Sequence, residues 1–491
     1  MTCTQAPATA HAAIAALRKA PTPPRPLVLA IVCTLLAACA VGPDYREPPP
    51  VATGGDWTVP VVAGGGYEDY ADWWSTLGDP MLERLVREAL ADNLDLAQAA
   101  ARVDEARAVR DQVAGGRAPV VGASASVNRR RQSTNGSLPI ASIPGMEATQ
   151  TIHDVGFDAA WELDLFGANR RALEGATARL HATGVEAEGV RMRIVAEVAR
   201  TWFTAVGSGQ EMRTQQAAVE AQRGALELLQ LQHAVGAASL ADVDAAQARL
   251  AAADAALPAI RARERAAAFA LAVLLGEPPE HGLQLLEDAP GLPMLAEIPV
   301  GERADLLRRR PDVLAAERRL AASTADIGVA TAELFPKLSI GVGGGFQALD
   351  AGDLFESGSQ RFGVMPVISW RVFDGGRVRA EIRAREADQR QAALAYEQAV
   401  LAALGDAEQA LGDYRAGLVA LRRYEQALEA SQRSYGHARQ RFAAGAIAGG
   451  ELLAAERQLH EAQAAAVRAH TAAAVQLVAL YKALGGGWSA S

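Results

Sequence analysis

The chain of 491 residues is poor in cysteine and in aromatic residues, with three cysteines and 5% aromatics. The cysteines stand at positions 3, 33 and 39, so no disulfide framework can form in the rest of the chain. The eight histidines are scattered, without an HExxH motif or a paired cluster, and the seven methionines are equally dispersed. No nucleophile–base pair or metal-binding pattern is present, which argues against an enzyme. We therefore predict no catalytic residue, no cofactor and no bound metal.

An excess of positive charge is also absent. Lys and Arg number 48 against 57 Asp and Glu, and the two signs are interspersed along the chain. A nucleic-acid-binding protein would show a basic stripe, so we expect no nucleic-acid partner. The basic triplet Arg308, Arg309 and Arg310 precedes Pro311. We interpret this triplet as the solvated start of a helix rather than as an anion site.

The N-terminus carries a targeting pattern. Basic residues between positions 18 and 25 precede an apolar run, Leu27–Ala38, which is too short to span a bilayer. The run ends in the sequence LAAC, with a leucine three residues before Cys39. This ending resembles the bacterial lipobox, in which cleavage leaves the cysteine first and its thiol carries a diacylglycerol. We predict a lipoprotein signal peptide at residues 1–38, with a chance cysteine beside an ordinary cleavage site as the alternative.

Two pairs of alternating segments are predicted to be β-strands, at about 118–129 and 153–166, and at about 337–347 and 361–373. A period of two with one apolar face is typical of a membrane β-barrel strand, since lipid wets one face and water the other. Candidates for the membrane-facing side are Phe157, Trp161, Leu163, Ile340, Phe346, Phe362, Ile368 and Trp370. For Trp161 and Trp370, ordinary apolar packing is the alternative to a membrane-interface position. Four strands cannot close a barrel, and open edges are not tolerated in lipid, so the chain requires two, three or four copies of itself.

Each strand pair is followed by a long proline-free stretch that ends at a glycine, Arg170–Gly236 and Arg377–Gly445. At 1.5 Å per residue each helix would be about 100 Å long. That length exceeds a membrane core of about 30 Å, and the frequent charges require water. After a short turn, a returning helix is predicted at Ala241–Leu275 and at Glu451–Leu484.

Two further features of the helices follow from local signals. An amphipathic helix is predicted to begin near Asp79-Pro80 and to run to Gly115. Gly207 and Gly209 leave open a break near the middle of the first long helix.

The predicted organisation is a duplication of the order helix, strand, strand, long helix, turn, helix. An extended, lipid-anchored segment at 39–79 precedes a first repeat at 80–276, a linker at 277–303, a second repeat at 304–485 and a tail at 486–491.

Seven short motifs resemble the TolC-like outer-membrane factors, and specifically their lipoprotein branch, the NodT type. They are Leu36–Tyr45 (LAACAVGPDY), Trp73–Pro80 (WWSTLGDP), Trp161–Gly167 (WELDLFG), Ala304–Asp312 (ADLLRRRPD), Glu333–Leu338 (ELFPKL), Trp370–Gly376 (WRVFDGG) and Tyr481–Trp488 (YKALGGGW). Each motif alone is a weak signal. Their occurrence in family order, from Leu36 to the C-terminus, is highly specific.

The resemblance implies a mixed fold, in which a membrane β-barrel continues into a long α-helical barrel in the periplasm. Three chains would contribute four strands each to one twelve-stranded barrel, lipid-anchored in the outer membrane through Cys39. Such a homotrimer would dock a periplasmic adaptor protein and an inner-membrane pump of the RND class. The implied function is the outer-membrane channel of a tripartite efflux pump for drugs or other small molecules. Alternatives are the exit duct of a type I protein secretion system and a periplasmic scaffold without transport.

The resemblance also implies functional positions at the turns after the long helices. Asp242, Asp244 and Glu451 are candidates for a periplasmic gate, with simple helix capping as the alternative. Ala454 and Ile447 replace residues that are often charged in relatives, so the second turn is expected to be held more weakly. Candidates for adaptor docking are Gly236, Ala237, Ser239, Gly445, Ala446 and Gly449, with tight-turn formation as the alternative.

Overall fold

The computed structural model describes residues 40–48, 55–63, 70–134, 145–287 and 289–488. Cys39 and the predicted signal peptide therefore lie outside the described residues. The chain divides into two compact units. The sheet unit comprises the described residues up to Asp44 together with Gln112–Glu174 and Thr324–Glu386. The helix unit comprises Tyr45–Asp111, Gly175–Ser323 and the described residues from Ala387 onward.

The sheet unit contains a four-stranded antiparallel sheet in the order β2-β3-β5-β6. Its strands are β2 (Val120–Arg131), β3 (Thr149–Leu163), β5 (Lys337–Ala348) and β6 (Gln360–Ser369). Two further strands, β1 (Val62–Ala63) and β4 (Pro299–Val300), form a short parallel pair in the helix unit. In the four-stranded sheet, β2 and β6 are the edge strands, so each has one side without a strand partner among the described residues.

The ends of two strands differ from the prediction. β3 ends at Leu163 rather than at 166, and β6 ends at Ser369 rather than at 373. Trp370 was predicted to lie in a barrel strand and is instead the first residue beyond it. The reason is register, because Ser369 pairs with Lys337, the first residue of β5, and later residues have no partner to pair with. The alternation of apolar residues continues past the point where pairing stops.

The register gives the sheet one apolar face, because residues directly opposite each other in an antiparallel sheet point to the same side. Ala159, for example, lies opposite Val121 on β2 and Val342 on β5. We call this side the apolar face; its larger members are Val121, Val127, Val155, Phe157, Trp161, Leu163, Leu338, Ile340, Val342, Phe346, Phe362, Val364 and Ile368. The opposite face is polar in part. There Arg361 and Gln347 both donate hydrogen bonds to Asp154, from Nη2 at 2.6 Å and from Nε2 at 2.9 Å.

The helices match in pairs. The long helices α3 (Ala168–Ala234) and α6 (Arg377–Ala443) have 67 residues each, and the returning helices α4 (Leu240–Leu274) and α7 (Gly449–Ala483) have 35 each. A further helix, α5, spans Pro311–Ala332. α3 is continuous, so the break that Gly207 and Gly209 left open does not occur.

The first helical segment is broken, contrary to the prediction of one helix from Asp79 to Gly115. It forms α1 (Pro80–Asp92) and α2 (Leu94–Gly115), separated by Asn93 in an extended conformation. The Asn93 side chain accepts hydrogen bonds from two backbone N–H groups of α2 and donates one to the carbonyl of Leu274 at 2.8 Å. Asparagine competes for backbone groups in this way, which favours a helix start over a helix interior.

The core of the helix unit is built around buried aromatic side chains whose polar atoms are paired. Trp73 stacks on Tyr481 with ring centroids 4.7 Å apart. Trp202 is fully buried, and its indole N–H donates to Asp79 Oδ2 at 2.7 Å. The other carboxylate oxygen of Asp79 accepts from the N–H groups of Met81 and Leu82, both at 3.0 Å, and so caps α1. One side chain thereby starts the helix and satisfies a buried donor.

The basic triplet does not form a solvated helix start, because Arg310 is 7% exposed. Its guanidinium donates to Asp312 Oδ2 at 2.7 Å and to Asp406 Oδ2 at 3.0 Å. Asp406 lies on α6, 96 residues away along the chain. The interpretation fails because local sequence shows the charge of the triplet but not this distant partner. Arg308 is exposed, as predicted.

Candidate functional site

The two turns between long and returning helices have the same backbone geometry. α3 and α6 each end just before a glycine in the left-handed region, Gly236 at φ +74° and Gly445 at φ +70°. The next residue closes the turn in both cases: the N–H of Ala237 donates to the carbonyl five residues earlier at 2.7 Å, and that of Ala446 does the same at 2.9 Å. A side chain at the glycine would be strained in this conformation. We call Val235–Ser239 the first turn and Ala444–Ala448 the second turn.

The two turns differ in how the returning helix begins. At the first turn Ser239 and Asp242 form a capping box, in which each side chain accepts a hydrogen bond from the other residue's backbone N–H. At the second turn Ala448 occupies the equivalent position and provides no side-chain cap. The φ and ψ angles of the two cap residues are nearly the same, −82° and 158° for Ser239 against −77° and 155° for Ala448. The difference is therefore one of side-chain chemistry.

The capping box favours the ionised form of Asp242. Hydrogen bonds from the side chain and the backbone of Ser239 hold the pKa of the Asp242 carboxyl below its ordinary value. A carboxylate of this kind stabilises the fold above its unfolded pKa of about 3.9 and loses that contribution as the pH falls through the lower folded value. Asp242 therefore remains ionised at neutral and mildly acidic pH.

The other gate candidates lie close by in different settings. Asp244 and Glu451 are both exposed. The backbone N–H of Glu451 donates to the carbonyl of Ala448 at 3.1 Å. Glu451 is thus in the first turn of α7, where the helix dipole favours an acidic side chain.

Asp242 and the start of α7 line the same cleft, which has a volume of about 240 Å³. Gly450 and Ala454 of α7 line it, together with two arginines, Arg249 of α4 and Arg457 of α7. Neither arginine was predicted from the sequence as part of the site. A signal for Arg249 was available, because it follows Asp242 by seven residues and so lies on the same face of α4 two helical turns later. Asp244 and Glu451 are not among the lining residues.

The six candidates for adaptor docking are at the surface or close to it. Gly236, Ala237, Ser239, Gly445 and Ala446 are exposed, and Gly449 is half-buried. A Cβ atom at Gly236 or Gly445 would meet nothing within 4 Å, so the left-handed backbone, rather than crowding, requires glycine at these two positions.

Exchanging the cap residues should reverse the order of stability of the two turns. Ser239→Ala removes the capping box and should destabilise the start of α4 by about 1 kcal/mol. Ala448→Ser creates the sequence Ser-x-x-Glu with Glu451 and should stabilise the start of α7 by a similar amount. Hydrogen exchange of the amides in the first helical turns of α4 and α7 measures both effects. Equal exchange rates in the wild type and the two variants would contradict this assignment of the caps.

The candidates for membrane contact, except Trp370, which lies just beyond β6, occupy one side of the sheet but differ in exposure. Phe157, Phe362 and Ile368 are highly exposed in the isolated chain, whereas Leu163, Ile340 and Phe346 are half-buried. The two tryptophans make matching contacts. The indole N–H of Trp161 donates to Arg117 and that of Trp370 to Leu334, each to a backbone carbonyl at 3.0 Å. Both accepting carbonyls stand three residues before a strand, β2 or β5.

No helix within the described residues is long and apolar enough to cross a membrane. No group of three or more His, Cys, Asp or Glu side chains is placed to hold a metal ion in the part of the chain that the structure describes.

The family model for outer membrane efflux proteins matches residues 85–277 and 303–486. The chain belongs to this family. Among relatives of this outer membrane efflux protein, the pyoverdine export outer membrane protein OpmQ of Pseudomonas aeruginosa is 30% identical, over 94% of this chain and 97% of the relative. Nodulation protein T of Rhizobium leguminosarum bv. viciae is 28% identical, over 94% of each chain. The solved structure of the outer-membrane channel OprN superposes with a TM-score of 0.82 at 36% identity, covering 92% of this chain and 100% of that one.

These comparisons confirm the resemblance to TolC-like outer-membrane factors of the NodT type. The protein is an outer-membrane efflux channel component, with the channel fold that combines long helices and a sheet. The family is described as one of efflux proteins and the structural neighbour OprN as a channel, which indicates transport rather than catalysis.

Proposed function

We propose that three copies of the chain form the outer-membrane duct of a tripartite efflux pump, with their sheets joined into one twelve-stranded barrel. The observation that carries the proposal is the four-stranded sheet, which has one apolar face and two edges, β2 and β6, that have no strand partner within the described part of the chain. In lipid the unpaired N–H and C=O groups of an edge have no water to bond, so β6 of one copy pairs with β2 of the next. The matched helices, 67 and 35 residues long in each half, support two repeats at 80–276 and 304–485 with a linker at 277–303.

The turns are the proposed periplasmic end of the duct. Asp242, Asp244 and Glu451 would form rings of carboxylates in the trimer, which attract cations and narrow the pore. A periplasmic adaptor protein would dock on the exposed small residues of the first and second turns, and an RND-class pump would deliver small molecules from the inner membrane. OpmQ is named for pyoverdine export, and export of small molecules of this general kind is the function proposed for this chain.

Neutralising two carboxylates tests the gate. Asp242→Asn with Glu451→Gln should raise the single-channel conductance in planar bilayers, because the charged rings are proposed to narrow the pore. The same variant should lower the selectivity for cations, because each ring loses its charge. Glu220→Gln on α3 is the matched control, since Glu220 is an exposed partner of Arg223 outside both turns. Unchanged conductance and selectivity in the double variant would refute the gate. Absence of any conductance in the wild type would refute the channel itself.

Cys39 is the proposed site of lipid attachment to the outer membrane. Metabolic labelling with a radioactive fatty acid should mark the wild type and leave a Cys39→Ala variant unlabelled. Labelling of that variant would exclude this residue as the anchor.

A further inference from the structure

The segment Gly207–Glu211 of α3 lies against both returning helices at one level. A Cβ atom on Gly207 would be 2.1 Å from Thr471 Oγ1 of α7, and one on Gly209 would be 3.0 Å from Glu264 Oε1 of α4. The missing side chain at Gly207 thus lets α7 approach α3 more closely than any other residue would allow. Gly207 and Gly209, at which the sequence left a helix break open, are instead positions where the unbroken α3 contacts its neighbours.

Glu211 ends this segment and binds both neighbours. The residue is 7% exposed, and its Oε2 lies 3.0 Å from Nη2 of Arg263 on α4. Its Oε1 accepts a hydrogen bond from Nη1 of Arg468 on α7 at 3.3 Å. The two arginine side chains are about half exposed, at 49% and 55%. One buried carboxylate therefore joins helices from both halves of the chain.

Packing is denser on the side of Glu211 that lies farther from the turns. Beyond Arg263 on α4 the buried residues are Ala267, Ala268, Leu271 and Ala272, and beyond Arg468 on α7 they are Ala473, Ala474, Leu477, Val478, Leu480, Tyr481 and Ala483. On the turn side of these arginines α4 has three, Val243, Ala246 and Ile260, and α7 has two, Ala464 and Ala466. Segments with few buried apolar contacts open locally at low free-energy cost. In the isolated chain, fewer buried contacts therefore hold the turn-proximal parts of the returning helices in place.

We infer that Glu211 is a positioning residue that couples the movements of the two turns. It sits where tight packing gives way to loose packing, and its two ion pairs hold α4 and α7 to the same point on α3. The pair with Arg263 stays within the hairpin α3–α4, whereas the pair with Arg468 joins that hairpin to α7 of the other hairpin. The inference rests on the proposed function in one respect, because coupling matters only if the turns open and close.

Loss of the Arg468 pair and loss of the Arg263 pair are expected to affect the distance between the two turns differently. Spin labels on the turns measure this distance. The chain has no cysteine after position 39, so Ala238→Cys and Ala446→Cys introduce the only thiols beyond that position for spin labels on the two turns. With labelled chains diluted in unlabelled ones, Glu211→Gln and Arg468→Gln should broaden the distance distribution and add a population at longer distance. Arg263→Gln should leave it close to wild type, because α3 and α7 remain tied.

A second label pair distinguishes coupling from general loosening. Arg193→Cys on α3 and Ala479→Cys on α7 are exposed positions on the tightly packed side of Glu211. Their distance distribution should be the same in the wild type, Glu211→Gln and Arg468→Gln. Broadening of both pairs together, or of neither, would overturn the inference. Conductance is recorded separately: broadened turn distances with unchanged conductance would refute the proposed gate while leaving the coupling by Glu211 in place.

Discussion

Ala159→Arg should strongly reduce the amount of folded protein in the outer membrane, while Ala160→Arg should leave it nearly unchanged. The two alanines are neighbours on the central strand β3, but their side chains point to opposite faces of the sheet. Ala159 lies between Val121 and Val342 on the apolar face, and Ala160 lies on the other face beside Gly341. Arginine on a lipid-facing site costs about 2–4 kcal/mol at the middle of the bilayer. In a trimer the cost applies to each of the three copies.

The measurement is the yield of heat-modifiable, folded protein in outer-membrane fractions, with urea titration of protein refolded into vesicles to compare free energies of unfolding. The pair is well matched, because residue type, strand and added charge are the same and only the face differs. Equal yields for the two variants would show that the apolar face does not contact lipid. A loss confined to Ala160→Arg would place lipid on the opposite face.

Arg310→Leu should destabilise the helix unit by about 2–3 kcal/mol, and Arg308→Leu should change its stability little. Burial alone lowers the pKa of Arg310, and the hydrogen bonds and charges of Asp312 and Asp406 outweigh this and raise it above its ordinary value. Removing one partner of a buried ion pair costs about 3–5 kcal/mol when a charge is left enclosed. Here the cost is smaller because the Asp312 and Asp406 side chains are 47% and 60% exposed and stay hydrated.

Denaturant unfolding followed by tryptophan fluorescence measures this loss, since Trp73 and Trp202 are buried in the same core. Arg308→Leu is the control, because it removes the same charge from the same triplet at an exposed position. Equal midpoints for the two variants would show that the buried pair contributes nothing measurable. A larger loss in Arg308→Leu would contradict the assignment of the buried residue.

The sequence led to the family, the outer-membrane location and the efflux function, and the comparisons confirm these. It also predicted four strands and two long helices, because the features that indicate them depend only on residues close together in the chain. Successive side chains of a strand lie on opposite faces of the sheet, whichever strand it pairs with. The alternating pattern of Val155, Phe157 and Ala159 therefore shows that these side chains lie on one face. The absence of proline over more than sixty residues leaves a helix uninterrupted, and glycine marks its end through the left-handed backbone.

The errors have different physical causes. Trp370 was predicted to lie in a strand because its alternation continues, but the register with β5 ends at Ser369, so a partner far away in the chain sets the limit. Asn93 divides a helix whose amphipathic pattern runs through it, since its side chain caps α2 locally and also donates to the carbonyl of Leu274. Hydrophobic periodicity reports neither the distant partner nor the side-chain cap.

The sequence by itself determined the kinds of element, the lengths of the long and returning helices and the positions of the two turns, because helix and strand periodicity, proline exclusion and glycine conformation act within a few residues. Only the tertiary structure decided which charges are buried and what they bind. Arg310 meets Asp406 96 positions later, and Glu211 meets Arg468 257 positions later. The physical reason is that a charged side chain is tolerated in a core only beside its partner, and the fold alone brings the partners together.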